Sequence, residues 1–334
     1  MKKFGRRVVL AASASGAAGV VFAPAAIVRQ AMAQGGAYPE RPIRLLVPAG
    51  AGGPTDVVAR ILQPHLSQIL GQTVVVENKA GASGSIGTAA VAAATPDGYT
   101  LILAPSTNAL FPAIYGKTLT YDPISAFTGI SHVANVPLIV VVAADGPKTL
   151  AELIAMMKKD PEKYSYASSG NGGMIHMAGF LFIERAGAKA LHVPYRGSAP
   201  GMIDTIAGRH AFQMDTIGSS KGFLDSGKAR VLAVAADKRL KQLPDVPTVE
   251  EAAGFKFSIS TWYVAQAPSA TPRPIVDKLN AAFNKALALP EVIKRMDELA
   301  IEPVQSTPEE AKKYFDGQLA FWDPIVKASG AKPE

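Results

Sequence analysis

The chain has 334 residues, 48% hydrophobic and 18% charged, a balance that excludes a disordered polymer and suits two domains or one large one. It has no cysteine, which excludes disulfides and thiolate metal sites. Five basic and no acidic residues lie in positions 1–33, so the net charge of +7 falls to +2 for the remainder; with no Lys/Arg run interleaved with aromatics, nothing supports nucleic-acid binding.

Lys2, Lys3, Arg6 and Arg7 precede an apolar stretch of Ala, Val and Gly that ends in Ala31, Met32, Ala33, an A-x-A cleavage pattern. Residues 1–33 are therefore expected to be an export signal, with the mature chain opening near Gln34. The Arg6, Arg7 pair followed by Val8, Val9 and Leu10 fits a twin-arginine signal, with an ordinary secretory signal as the alternative. No later run approaches the roughly 20 apolar residues of a membrane helix. An exported soluble protein is expected.

The pattern of the folded part is set by Ile43 to Arg60, IRLLVPAGAGGPTDVVAR. Ile43 to Val47 reads as a strand buried in a parallel sheet, Gly50, Gly52 and Gly53 as a turn with uncovered amides, and Pro54 as the first residue of a helix, with Asp56 in its first turn. A strand end, bare amides and a helix start together suit an anion; a tight connection with nothing bound is the equal alternative. Gly71 is expected to stop the helix. Thr73 to Glu77 is a second strand, Asn78 to Gly87 a second glycine-rich turn before a helix at Thr88 to Ala94, and Tyr99 to Ala104 a third strand. This is the βαβ pattern of a doubly wound sheet, whose ligands sit beyond the carboxyl ends of the strands.

From Pro137 the pattern restarts with LIVVVAA, then a helix opened by a Thr149/Glu152 capping box. Strands are expected at 164–167, 191–195, 212–215 and 231–235, with loops at Ser168 to Gly173, Arg196 to Pro200 and Thr216 to Lys221. A second capping box, Thr248 with Glu251, opens a short helix. Trp262 to Ala267 is a late strand, and helices opened at Thr271, Pro290 and Thr307 complete the chain. The reading is two α/β lobes, 34–137 with 261–334 and 138–260, joined by crossings near Pro137 and Ser260 around a cleft.

Enzyme readings find little support. Gly218 to Gly222 matches G-x-S-x-G around Ser220, but none of His65, His132, His176, His192 and His210 lies downstream. Gly170 and Gly172 begin a dinucleotide fingerprint that Ile175 breaks, and Phe111 stands where a P-loop needs glycine. No two histidines lie within a helical turn and no acidic loop resembles a calcium site, so neither a metal nor a cofactor is expected. His176 opens a helix and reads first as a capping or packing residue. Asp215, at a strand end, either meets a ligand ammonium or hydroxyl or ties down its own loop; Arg196 either pairs with a carboxylate or makes a salt bridge. What remains is a set of strand-end turns offering amides and hydroxyls, and a few such bonds of roughly 1.5 to 3 kcal/mol each suffice for micromolar binding.

YPERPIRLLVP from Tyr38, GGPTDVVAR from Gly52, LGQTVVVENKAGASGSIG from Leu70, PDGYTL from Pro96, HVPYRGSAP from His192 and LPDVPTVEEAAG from Leu243 resemble the extracytoplasmic solute receptors of the tripartite tricarboxylate transporter family, the TctC-type or Bug receptors. The resemblance covers essentially the whole mature chain. It implies an α/β, two-lobed type II periplasmic binding protein, each lobe a mostly parallel sheet flanked by helices. The function implied is a non-catalytic periplasmic receptor, a monomeric clamp that closes on a small organic acid and delivers it to membrane permease subunits. Carried over by position, the ligand residues are Gly52, Gly53 and Thr55; Ser83, Gly84 and Ser85; Thr107; Ser168, Ser169, Gly170, Asn171, Gly172 and Gly173; Arg196, Gly197 and Ser198; and Asp215 with Thr216 as the selectivity edge. Two positions depart from the family pattern: Ala49, where relatives commonly carry a bulky aromatic, and Phe180, where they often carry an acid. The alternatives from other classes are an exported esterase-like enzyme using Ser220 and a ligand sensor for a membrane signalling partner.

Overall fold

The computed structural model describes residues 38–333, and the expected export signal lies outside the described residues. β1 (Ile43–Val47) pairs in parallel with β2 (Val74–Asn78) and β3 (Thr100–Pro105). Between them run α1 (Pro54–Leu70), started by a proline and stopped by Gly71 at φ 70°, and α2 (Ser85–Ala92). A 3-10 turn (Ser106–Leu110) and α3 (Phe111–Tyr115) follow β3.

β4 then runs without interruption from Phe127 to Ala143. Beyond it come α4 (Leu150–Lys159), β5 (Ser165–Ser168), α5 (Met174–Ala186), β6 (Leu191–Pro194), α6 (Ser198–Ile206), β7 (Phe212–Thr216), α7 (Ile217–Asp225) and β8 (Ala229–Ala235). The chain ends with α8 (Val249–Ala253), β9 (Ser260–Pro268), α9 (Arg273–Leu287), α10 (Pro290–Asp297), the short β10 (Glu302–Pro303) and α11 (Pro308–Ser329).

The strand order is β2-β1-β3-β9-β4-β7-β5-β6, with β8 and β10 also on β4. β4 changes partners along its length. Phe127 to Pro137 pairs with β9, and Leu138 to Ala143 with β7 and β8, all antiparallel. The α/β fold is as expected, but parallel pairing is confined to β2-β1-β3 and β6-β5-β7. A strand that serves both sections and a late strand that returns beside it must meet their neighbours head to tail.

Burial explains the order. Leu138, Ile139, Val140, Val141 and Val142 are fully buried, since helices cover both faces of that segment, as a central strand requires. The Thr248/Glu251 and Thr307/Glu310 capping boxes form. At Thr149 only half of the box forms: its hydroxyl accepts from Glu152 N–H, while the Glu152 carboxylate takes the N–H of Lys148 at 2.7 Å. The stretches expected as loops, Arg196 to Pro200 and Thr216 to Lys221, instead contain helix starts, at Ser198 and Ile217.

α11 lies close against the first half of β4. A Cβ at Gly129 would sit 2.6 Å from the Pro308 carbonyl oxygen and 2.8 Å from the Lys312 nitrogen, both backbone atoms that cannot swing away. Gly129→Ala is expected to lower stability by about 1–3 kcal/mol. Gly317→Ala, in α11 but facing open space, is expected to raise it by up to about 1 kcal/mol. Urea unfolding of the two variants checks this, and equal effects would refute the close approach.

Candidate functional site

Asp56 organises the first glycine turn. It is nearly fully buried beneath the turn and accepts from Gly52 N–H at 2.8 Å, Arg60 Nε at 2.8 Å and Asn78 Nδ2 at 3.0 Å. Asn78 Nδ2 also reaches the Ala49 carbonyl at 3.2 Å. Burial opposes ionisation of Asp56, but these donors outweigh it and hold the carboxyl below its ordinary value. One expectation is corrected here: the Gly52 amide is not bare, because Asp56 takes it. Gly53 N–H likewise turns back to the Gly50 carbonyl at 3.3 Å. The opening of α1 is left with the amides of Thr55 and Asp56, since Pro54 has none and Val57 N–H bonds the Gly53 carbonyl.

The second turn is bent more sharply. Gly81, Ala82, Ser83 and Gly84 all have positive φ, a run that brings Gly84 against the end of β1; a Cβ there would lie 2.7 Å from the Pro48 carbonyl oxygen. Tyr115 Oη donates to the Ala82 carbonyl at 2.9 Å, Thr88 Oγ1 to the Gly84 carbonyl at 2.9 Å, and Asn108 Nδ2 to Thr88 Oγ1 at 3.1 Å. These bonds gather Ser83, Gly84, Ser85 and the Thr107 turn on one rim.

Across the molecule, the Ser168 to Gly173 loop is pinned by two histidines. Ser168 Oγ shares a 2.7 Å hydrogen bond with His192 Nε2, and Gly172 N–H donates to His176 Nδ1 at 3.0 Å. The two imidazoles stack at 3.4 Å between centroids, 7° from parallel. Burial, and for His176 also the neighbouring ring, pushes them down to about 3 and about 4, so both are neutral. His176 is thus a packing residue, as read first. Gly197 N–H bonds the Ser169 carbonyl at 3.2 Å, which joins this loop to the start of α6.

Asp215 is fully enclosed at the end of β7. Ser198 Oγ donates to its Oδ2, as does Gln213 Nε2 at 3.1 Å, while Thr216 N–H donates to Oδ1 at 2.8 Å. Burial pushes this carboxyl up, and the Ser198 and Thr216 donors pull the other way. Of the two readings of Asp215, the geometry gives the second: it ties α6 to the end of β7. Arg196 is exposed and makes no ion pair or hydrogen bond among the described residues, so the salt bridge expected as its alternative is not formed.

The two sides approach each other at several places, two of them near the predicted loops. Ile114 of α3 lies so close to Gly172 that a Cβ there would meet its Cδ1 at 2.7 Å, and Asn171 Nδ2 donates to the Lys332 carbonyl at 3.0 Å. A cavity of about 180 Å³ lies where the starts of α1 and α7 face one another, with Gly52 and Pro54 on one side and Thr216, Gly218 and Ser219 on the other. Thr216 caps α7 by accepting from Ser219 N–H at 3.2 Å. Of the predicted ligand residues, Gly52 and Thr216 line this cavity; Gly53 and Thr55 are their neighbours in the chain, and the 83–85, 107, 168–173, 196–198 and 215 positions are not among its lining residues. Sequence reasoning missed Val57, Val136, Tyr263, Leu299 and Ile301, which complete the wall. Only the apolar spacing of Val57 within α1 gave any signal for them. Phe180 lies elsewhere, in a separate crevice with Tyr166 and Leu191, and so has no bearing on this cavity.

Ser220 is fully buried on α7, beyond reach of an ester, and no group of three or more His, Asp or Glu among the described residues could hold a metal. Two helix starts facing one cavity from two sections of a mixed α/β sheet are the arrangement of a periplasmic solute-binding protein. The model of the tripartite tricarboxylate transporter family receptor matches residues 58–331, and the chain belongs to that family, whose members are receptors and not enzymes. It is similar to BugT of Bordetella pertussis, 34% identical over 319 residues covering 94% of this chain and 96% of BugT. Among solved structures, Rpa4515 of R. palustris with adipate is 32% identical with a TM-score of 0.80, covering 89% of this chain and all of that one. MatC (Rpa3494) from Rhodopseudomonas palustris with bound malate is 30% identical with a TM-score of 0.77, covering 86% and 100%.

Two predictions come from these networks. Asp56→Ala removes an acceptor shared by three donors and is expected to cost about 1–3 kcal/mol; chemical denaturation with and without Asn78→Ala checks whether the losses are less than additive, as one network requires. The histidines set a pH dependence. Their folded values lie below 6.5, so the unfolded chain binds more protons as pH falls, and stability is expected to drop from about pH 6.5 towards 4. His132 and His210 shift the same way through burial. His192→Gln should therefore flatten part of that slope in thermal melts, and an unchanged slope would refute the assignment.

Proposed function

We propose that this chain is an exported periplasmic receptor that captures a small carboxylate and hands it to the membrane permease subunits of a tripartite tricarboxylate transporter. The observation that carries the reading is the pair of helix starts, α1 and α7, that contribute Gly52, Pro54 and Val57 on one side and Thr216, Gly218 and Ser219 on the other to the lining of one cavity. The start of α1 has no side-chain cap, and the positive ends of the two helices favour an anion. Family membership and the adipate and malate held by two relatives support the same class of ligand.

The lobes of this clamp are residues 34–137 with 261–334 and residues 138–260, and β4 and β9 form the crossings between them. Closure removes water from the cleft and strengthens the contacts to the carboxylate. The gathered rims at Ser83 to Ser85, Thr107, Ser168 to Gly173 and Arg196 to Ser198 supply the remaining hydrogen bonds, with Asp215 setting the position of Ser198. Residues 1–33 direct export, and the receptor acts as a monomer.

A thermal shift screen against carboxylates, their amides and amino acids tests the reading, since a ligand selective for the folded state raises Tm by mass action. A shift with at least one carboxylate and none with its amide is expected. Thr216→Val, which removes a hydroxyl at the start of α7, should weaken that ligand roughly tenfold, equivalent to about 1.4 kcal/mol. Shifts with amides as large as with acids would overturn the proposal.

A further inference from the structure

The wall of the cavity between α1 and α7 carries no ionisable carboxylate, amine, guanidinium or imidazole. The rest of the wall is apolar: Val57 comes from α1, Val136 from β4, Tyr263 from β9, and Leu299 and Ile301 from the turn after α10. That turn is built for this purpose at a cost. Ile301 N–H bonds the Met296 carbonyl and Ala300 N–H the Asp297 carbonyl, both at 2.9 Å, which closes α10 in a Schellman turn. The left-handed position falls on Ala300 at φ 53°, where glycine is the usual residue and a side chain is strained. The Ala300 methyl is buried against Ile139, Met202 and Leu240, and this anchoring holds Leu299 and Ile301 against the cavity on either side of it.

The consequence for a bound acid follows from desolvation. One carboxylate at the helix starts meets their positive ends. A second charged group on the same ligand, if held inside this cavity, would be pressed against valine, leucine and isoleucine with no counter-ion in the wall, and an unpaired buried charge is far costlier than any contact it displaces. An apolar body gains from the same wall, and an apolar space of about 150 Å³ accommodates a benzene ring.

We propose that the ligand is a monocarboxylate with an apolar body of about the size of a phenyl ring or a five-carbon chain. Its carboxylate lies between the starts of α1 and α7, and its body lies against Val57, Val136, Leu299 and Ile301. This deepens the carboxylate reading and rests on it.

The test is calorimetric titration of the protein purified from the periplasm, unfolded in urea and refolded to remove any carried ligand. The probes are benzoate, hexanoate, benzamide, adipate and malate. Benzoate or hexanoate is expected to bind at least tenfold more tightly than adipate and malate, and benzamide at least tenfold more weakly than benzoate. Adipate or malate binding as tightly as the monocarboxylates would overturn this inference while leaving the carboxylate reading intact. Benzamide matching benzoate, or no acid binding at all, would overturn both. Ile301→Lys, which supplies the missing counter-ion, should narrow or invert the preference of hexanoate over adipate. Val57→Thr, milder for folding, should weaken hexanoate while leaving adipate unchanged. An unchanged preference in both variants would place the ligand body elsewhere and refute the proposal.

Discussion

The architecture depends on one continuous strand. β4 crosses the molecule in 17 residues and cannot keep the same partner throughout, because the two parallel blocks β2-β1-β3 and β6-β5-β7 lie on opposite sides of it. The exchange happens at Pro137, the last residue in register with β9. Proline lacks the N–H that a ladder would require there, and Leu138 N–H already turns to the Ile259 carbonyl at 3.2 Å. From Leu138 onward the strand pairs with β7 and β8. Because β7 is aligned on β4 directly after the exchange, Thr216 and the start of α7 fall beside Val136, opposite the start of α1. The cavity therefore follows from where the strand changes partner.

Half of that strand was hidden in the sequence for a physical reason. LIVVVAA announces itself as a buried strand; FTGISHVANV before it does not, because Gly129, Ser131, His132 and Asn135 interrupt any apolar run. The structure shows register shifts between Gly129 and Ser131 and between His132 and Ala134. Bulges leave ladder groups unpaired, and distant side chains take them up: Asn280 Nδ2 reaches the Ile130 carbonyl at 2.6 Å, and His132 N–H donates to Ser306 Oγ at 2.8 Å. Ser131 Oγ donates to Asn284 at 3.0 Å. The polar residues that masked the strand belong to a network satisfied only once α9 and the segment before α11 have packed against it, so no local pattern could reveal it.

The turns were legible in a different way. Glycine spacing and the Pro54 helix start located the first turn correctly, but the number of free amides could not be read from it. Asp56 looked like an ordinary acidic residue in a first turn, and only the folded geometry shows its carboxylate consuming Gly52 N–H and tying in Asn78 from β2. Asp215 teaches the same lesson. Its position at a strand end marked it for attention, yet Ser198, Gln213 and Thr216 occupy its oxygens. In both cases the acid is the post around which neighbouring backbone is arranged.

This division of labour accounts for a site with so little charge in it. A buried carboxylate that organises a turn must be screened from the ligand's own carboxylate, or the two would repel at low dielectric. Asp56 achieves this by lying beneath Gly52 with Arg60 beside it at 2.8 Å, and Asp215 by complete enclosure under three donors. The groups presented to the cavity are then helix starts and small side chains, whose dipoles are fixed by packing and need no counter-ion. The apolar wall from Leu299 and Ile301 comes from the far end of the chain, so it can vary without disturbing either acid. On the proposed reading, affinity for a carboxylate and selectivity for what it is attached to are carried by separate parts of the fold.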